Sequence, residues 1–387
     1  MLALRLARRA HPVVLLRRLM VAAASAGVGF LLLCTLAYAL SHPEDSGTSV
    51  VRLLWCLVPL AATVHFAVAV ARTDPGSRLR TGLSAVGLGP ARLAALAAVS
   101  TAVACTLGSM LALLFFLHLR GDLRGLPFDG AAAELLAANR PLPLGAVLTL
   151  LSLVPVLAST VAALALRPRP AKPGEETGPE DPAAPLAAPP GLPWGVALAA
   201  AGLAVETYAS RGAAGAALPL PGQVADGPAG VLAGWALTTL GLALAGPGIT
   251  HLCGRLMQTA RPGATRLLAG RVLMEEARRI GRPLGVVCAV ASAAFAASTV
   301  YGRSPDVFGP LTALGMVLVV TCTTATLLTA ALEARQARSH TRTTLLRLGT
   351  PLTALRQATA LRVAALLVTF VPLTWTVATL AATPLTH

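Results

Sequence analysis

Nine stretches of this chain are long, apolar and almost free of charge: roughly 19–40, 50–71, 93–117, 144–166, 193–208, 229–250, 284–301, 309–332 and 358–381. A helix needs about 20 such residues to cross the ~30 Å hydrocarbon layer of a membrane. A helix also satisfies its own backbone hydrogen bonds there, which an open strand cannot do. The pattern predicts an all-α, polytopic transmembrane protein of about nine spans, or ten if one more follows the ninth. The fifth stretch is the weakest, being short and rich in Ala and Gly. Composition points the same way. Only 12% of the 387 residues are charged and 55% are hydrophobic, against about 25% charged in soluble domains.

The net charge is +15. In a soluble chain that would suggest nucleic acid. Here the arginines flank the apolar stretches, so membrane lipid is the expected partner and nucleic acid is not. With the N-terminus in the cytosol, all but six of the 31 basic residues fall inside. The exceptions are Arg52, Arg120, Arg124, Arg140, Arg211 and Arg303. This is the bias that orients membrane proteins, and it predicts a multi-pass protein of the cell membrane with a cytoplasmic N-terminus. Ala37-Tyr38-Ala39 resembles a signal-cleavage site. The apolar run before it is too long for a signal peptide, and an uncleaved helix is expected.

Several chemistries are excluded. The one lysine, Lys172, precedes Pro173, so no P-loop can form. There is no H-E-x-x-H and no C-x-x-C, and the six cysteines are scattered singly. The chain is therefore not expected to be an enzyme, nor to hold a metal or cofactor of its own. Residues 167–193 carry nine prolines with Glu175, Glu176, Glu180 and Asp181, the composition of a cytosolic linker.

A repeat organises the rest. RTGLSAVG near 80 matches RTTLLRLG near 342, pairing Arg80, Thr81, Leu83 and Gly87 with Arg342, Thr343, Leu345 and Gly349 at one offset. Each copy lies in a basic loop between two apolar stretches. Ala7-Arg8-Arg9 with Pro12 and Ala277-Arg278-Arg279 with Pro283 open the two copies. In the second loop, Arg342 to Leu348 can form two helical turns. Gly349 suits the position that ends them, and Thr350-Pro351 suits a restart. In the first, a short helix would run to Val86 and stop at Gly87. Such helices, held by Leu83 and Val86 or by Leu345 and Leu348, could dock a cytosolic protein. The alternative is a plain re-entry turn with orienting arginines. Upstream, Leu273, Ala277, Ile280 and Leu284 form an apolar stripe, with Arg271, Glu275 and Arg279 on another face. This segment reads either as a helix lying on the inner membrane surface or as an ordinary basic flank.

RLRTGLSAVGLGPARLAALAAVSTAVACTLG at 78–108, LLAGRVLMEEARRIGRP at 267–283 and RTTLLRLGTPLTALRQATALRVAALL at 342–367 resemble the FtsX/MacB-type permease superfamily of ABC transporters. The likeness is greatest to the two-module permeases of actinobacteria. The resemblance implies a first FtsX-like module at 1–166, the linker at 167–193, two connecting spans at 194–252 and a second module at 253–387. It also implies a permease that binds no ATP itself. Two copies of a separate cytosolic ABC ATPase would bind under the loops at Arg80, Leu83, Val86 and Gly87 and at Arg342, Leu345, Leu348 and Gly349. ATP closure there would drive export or mechanical signalling. Two departures stand out. The outer gaps within each module are too short for the large outer domains such permeases commonly carry, and the second module lacks a fourth span.

Other residues carry weaker signals. His65 within the second span and Thr323 and Thr324 in the eighth are candidate intramembrane polar groups. Thr321, Thr326 and Thr329 extend that run, which reads first as helix packing. Glu206 is expected at the outer interface, solvated, and Asp122, Asp129 and Glu134 read as a solvated acidic surface. Two other functions stay open: a secondary transporter of small amphipathic molecules, and a non-transporting scaffold or regulatory subunit.

Overall fold

The structure is a computed structural model and describes residues 12–73, 90–123, 130–167, 189–211, 217–218, 227–259, 263–301 and 309–382. These fold almost wholly into helices: α1 (Pro12–Ser41), α2 (Ser46–Trp55), α3 (Leu57–Arg72), α4 (Pro90–Arg120), α5 (Leu144–Leu166), α6 (Leu192–Arg211), α7 (Ala229–Thr259), α8 (Ala264–Tyr301), α9 (Pro310–Ala337), α10 (Ser339–Arg347) and α11 (Leu352–Ala382). A two-residue ladder, β1 (Ala217–Leu218) with β2 (Gly227–Pro228), joins α6 to α7. Among the described residues, nine helices are long and apolar enough to cross a membrane, α2 and α3 together making one. They coincide with the nine stretches read from the sequence. The protein is an all-α, multi-pass membrane protein.

Exposed apolar side chains fit that reading. Leu107 is 63% exposed, Val368 is 74% exposed and Leu148 is 64% exposed. Large apolar side chains exposed on helix after helix are unfavourable in water and suited to lipid. Pro155, Pro247, Pro283 and Pro372 lie inside helices. Membrane helices tolerate this because neighbours re-satisfy the freed carbonyls.

The chain divides into two compact units: residues 1–171 with 309–322, and residues 172–308 with 323–387. In the first, α1 packs against α3, α4 and α5. Two hydroxyls tie its helices to neighbouring backbone. Ser25 donates to the Cys105 carbonyl at 2.8 Å and Ser109 to the Leu151 carbonyl at 3.0 Å. Leu33, Ala37, Phe116, Leu136, Val147 and Leu151 form the core at one end. There Arg120, 5% exposed, donates to the Arg140 carbonyl and pairs with Asp122 at 3.4 Å. Asp122 is thus ion-paired rather than simply solvated, while Glu134 is exposed. Nearby, the Arg52 guanidinium lies 3.5 Å above the Tyr38 ring, which stacks on His42 at 4.3 Å.

In the second unit, α6 packs along α7, α7 along α8, and α8 along α11. Small residues line the first two seams. A Cβ added at Gly241 would fall 2.7 Å from the Gly195 carbonyl oxygen, and one at Gly281 would fall 2.5 Å from the Pro247 Cα. Close backbone approach at small residues is the usual way membrane helices pair. Across α8 and α11, Cys288 and Thr374 are in hydrogen-bond contact at 3.1 Å, and Ser292 donates to the Thr374 carbonyl at 3.2 Å.

Two expectations are corrected here. The segment before the seventh span is not a separate helix on the membrane surface. It is the first part of α8, one continuous helix of 38 residues. Leu273 and Ala277 of its stripe are 1% and 0% exposed. The reason is that α7 runs on to Thr259 and offers the stripe a protein partner, so lipid is not needed. Glu206 is not solvated either. It is 0% exposed, because the glycine seam brings α7 directly over it.

Candidate functional site

The second basic loop folds as a helix, a break and a helix. After α9 ends at Ala337, Arg338 precedes the nine-residue α10. Leu348 caps it, its N–H donating to the Thr344 carbonyl at 3.0 Å, and the Gly349 N–H donates to the Leu346 carbonyl at 3.1 Å. Gly349 has φ +86°. This left-handed conformation penalises any residue with a Cβ, so the glycine is the element that stops the helix. The chain restarts at Pro351, whose carbonyl accepts from the Ala354 N–H at 3.1 Å, and α11 follows from Leu352.

α10 presents apolar side chains outward. Leu348 at its C-cap is 77% exposed, with Leu346 and Arg347 also exposed, and Leu352, which opens α11, is 49% exposed. Arg342 and Leu345 lie on the same short helix by backbone position. Its root is fixed by charge. Arg338 Nε lies 2.7 Å from Glu276 Oε1, and Arg362 Nη1 lies 4.0 Å from Glu276 Oε2. Glu276 is on α8 and 8% exposed; Arg362 is on α11. One buried carboxylate therefore joins three elements: the start of α10, α8 and α11. Arg338 Nε also donates to the Ala334 carbonyl at 3.1 Å, and Arg362 Nε to the Ala358 carbonyl at 3.2 Å. Each guanidinium is thus also held to the backbone one helical turn before it.

Arg80, Leu83, Val86 and Gly87, the first loop of the repeat, lie outside the described residues. His65 is exposed on α3. On α9, Thr323 is 5% exposed and Thr324 is exposed. Adjacent helical residues point about 100° apart, so these two do not act on one face. Thr323 shares its side with Thr326 and Thr329, 2% and 4% exposed, and Thr329 donates to the Thr326 carbonyl at 2.8 Å. That is helix packing and back-bonding.

No family model, curated protein or solved structure matches this chain. Its chemistry must be read from its own residues. Among the described residues, no group of three His, Cys, Asp or Glu side chains could hold a metal ion. All six cysteines are buried and free.

Two groups escaped the sequence reading. Glu276 is one of two acids inside a run of arginines from Arg266 to Arg282, and that contrast was the available signal. The other is the small-residue seam around Glu206. Its signal was the seven-residue spacing of Gly195 with Gly202, and of Gly234 with Gly241 and Gly248.

Proposed function

We propose that the chain is the permease subunit of an ABC transporter, lying in the cell membrane with its N-terminus in the cytosol. A separate cytosolic ATPase docks on α10, and two ATPase copies serve the two basic loops. The observation that carries this reading is the mounting of α10: a short helix between two spans, with Leu346 and Leu348 exposed at its end and its root ion-paired to a buried glutamate on a third helix. An ordinary re-entry turn needs arginines for orientation but no outward Leu348 and no such anchor. Force on α10 would reach α8 and α11 through Glu276 and drive export or mechanical signalling. The resemblance of the loops to FtsX/MacB-type permeases supports the choice of partner.

The test is co-purification of the full chain from membranes with ABC ATPases of its own cell. Arg80→Glu with Arg342→Glu, and separately Leu348→Asp, are compared with wild type. The expected outcome is loss of the ATPase from both variants with unchanged helix content and protease-accessibility topology. Equal recovery of the ATPase with wild type and both variants would refute the docking role.

A further inference from the structure

Glu206 on α6 has surroundings that the docking reading does not use. Its side chain is fully buried. Oε1 accepts a hydrogen bond from Thr238 Oγ1 of α7 at 3.2 Å, and Oε2 has no partner among the described residues. The backbones close in around it. A Cβ at Gly234 would fall 2.5 Å from Glu206 Cγ and 2.7 Å from the Gly202 carbonyl oxygen. At that point the two backbones are in van der Waals contact.

Among the described residues Glu206 makes no ion pair. α7 carries no Lys, Arg, Asp or Glu from Ala229 to Gly254. Neither does α8 from Pro283 to Tyr301, nor α11 beyond Arg362. The side chains brought together beside α6 from α8 and α11 are Ala296, Ala381 and Ala382, packed on Leu203. The titratable groups on these stretches lie elsewhere. Cys253 donates to Thr369 and Cys288 contacts Thr374. His251 is about 20 Å along α7 from Thr238 at the helical rise. On α6 itself, Tyr208 is 83% exposed and Arg211 ends the helix.

We propose that Glu206 is a proton-binding site and, with Thr238, a latch between α6 and α7: the protonated carboxyl closes the seam, and loss of the proton opens it. A neutral carboxyl can stay in so tight a seam with one hydrogen bond. A carboxylate cannot, because a buried charge with neither water nor a counter-ion beside it is strongly disfavoured. Parting the helices admits water and removes that cost. The step is simple: Oε2–H transfers its proton to water, and no other covalent bond changes. α6 is built to be the moving part. It packs along α7 and touches α11 only slightly. It is also the shortest of the nine apolar helices, with the lowest mean hydropathy, 1.2. Opening would bare Thr238, whose hydroxyl is otherwise held by Glu206.

The latch stands whether or not an ATPase docks on α10, and its test needs none. An ordinary glutamate titrates near pH 4.3, about 3 units below neutrality, so a carboxyl still protonated at neutral pH is distinctive. The full chain in lipid nanodiscs is followed by hydrogen exchange from neutral to alkaline pH, corrected for the intrinsic rate. For wild type, exchange in α6 should climb about tenfold per pH unit once opening begins, as for release of a single proton. Glu206→Gln, neutral at every pH, should hold α6 equally protected throughout. A flat wild-type profile, or a variant as steep as wild type, overturns the latch. Should the variant not fold, wild type alone decides. Its infrared spectrum at neutral pH must contain a protonated-carboxyl band that bleaches over the same pH range as α6 opens. Absence of that band overturns the proposal, as does exchange that follows sodium concentration at fixed pH.

Discussion

Glu276 is the residue on which three helices depend, and its removal and its isolation should differ. With Arg338→Gln the carboxylate stays buried beside Arg362 at 4.0 Å. A buried group left without its best partner costs about 1–3 kcal/mol, so thermal unfolding in detergent should move down accordingly. The exchanged pair, Glu276→Arg with Arg338→Glu, should recover part of that loss. A double-mutant cycle showing no coupling would mean that the ion pair is ornamental. Gly349 is a second single-residue test. At φ +86°, Gly349→Val should cost about 1–2 kcal/mol and raise hydrogen exchange at the end of α10. Unchanged exchange there would show that the break is set elsewhere. The two residues were not equally legible. A glycine closing a short helical pattern before Thr-Pro is a local signal. The partners of Glu276 come from positions 338 and 362, and no local pattern pairs residues that far apart.

At the scale of elements, the apolar helices were readable because the length and charge of a span are local properties. Their mutual packing was not, since it depends on which faces meet. Pro283 illustrates the difference. The apolar stretch read from 284 begins just after it, yet α8 runs through it, because the basic stretch finds α7 beneath it. Likewise Glu206 looked solvated from its place near a helix end, and only the register of α6 on α7 buries it. That register is testable. Gly234→Leu would drive a side chain into the Gly202 backbone and should lower the unfolding temperature by several degrees, as expected for overpacking of about 1–3 kcal/mol. Gly145→Leu, at a glycine with nothing within 4 Å, should leave it unchanged. Equal effects from the two substitutions would argue against the seam.

For the whole molecule, orientation in the bilayer is the property to measure, and the chain is well suited to it. All six cysteines are buried, so a membrane-impermeant maleimide should scarcely label the native protein. Ser339→Cys at the start of α10 should react only when the cytosolic face is opened, and Glu134→Cys should react from outside on intact cells. The opposite pattern would invert the topology read from the arginines and, with it, the docking proposal. The length of α8 adds a consequence. Its 38 residues extend about 57 Å at 1.5 Å each, nearly twice the ~30 Å thickness of the oily layer. A helix that overshoots the slab it crosses would work as a tiller: with the N-terminus in the cytosol as proposed, the end that carries Glu276 stands outside the oil, and sideways force on it would swing the submerged end in the opposite direction.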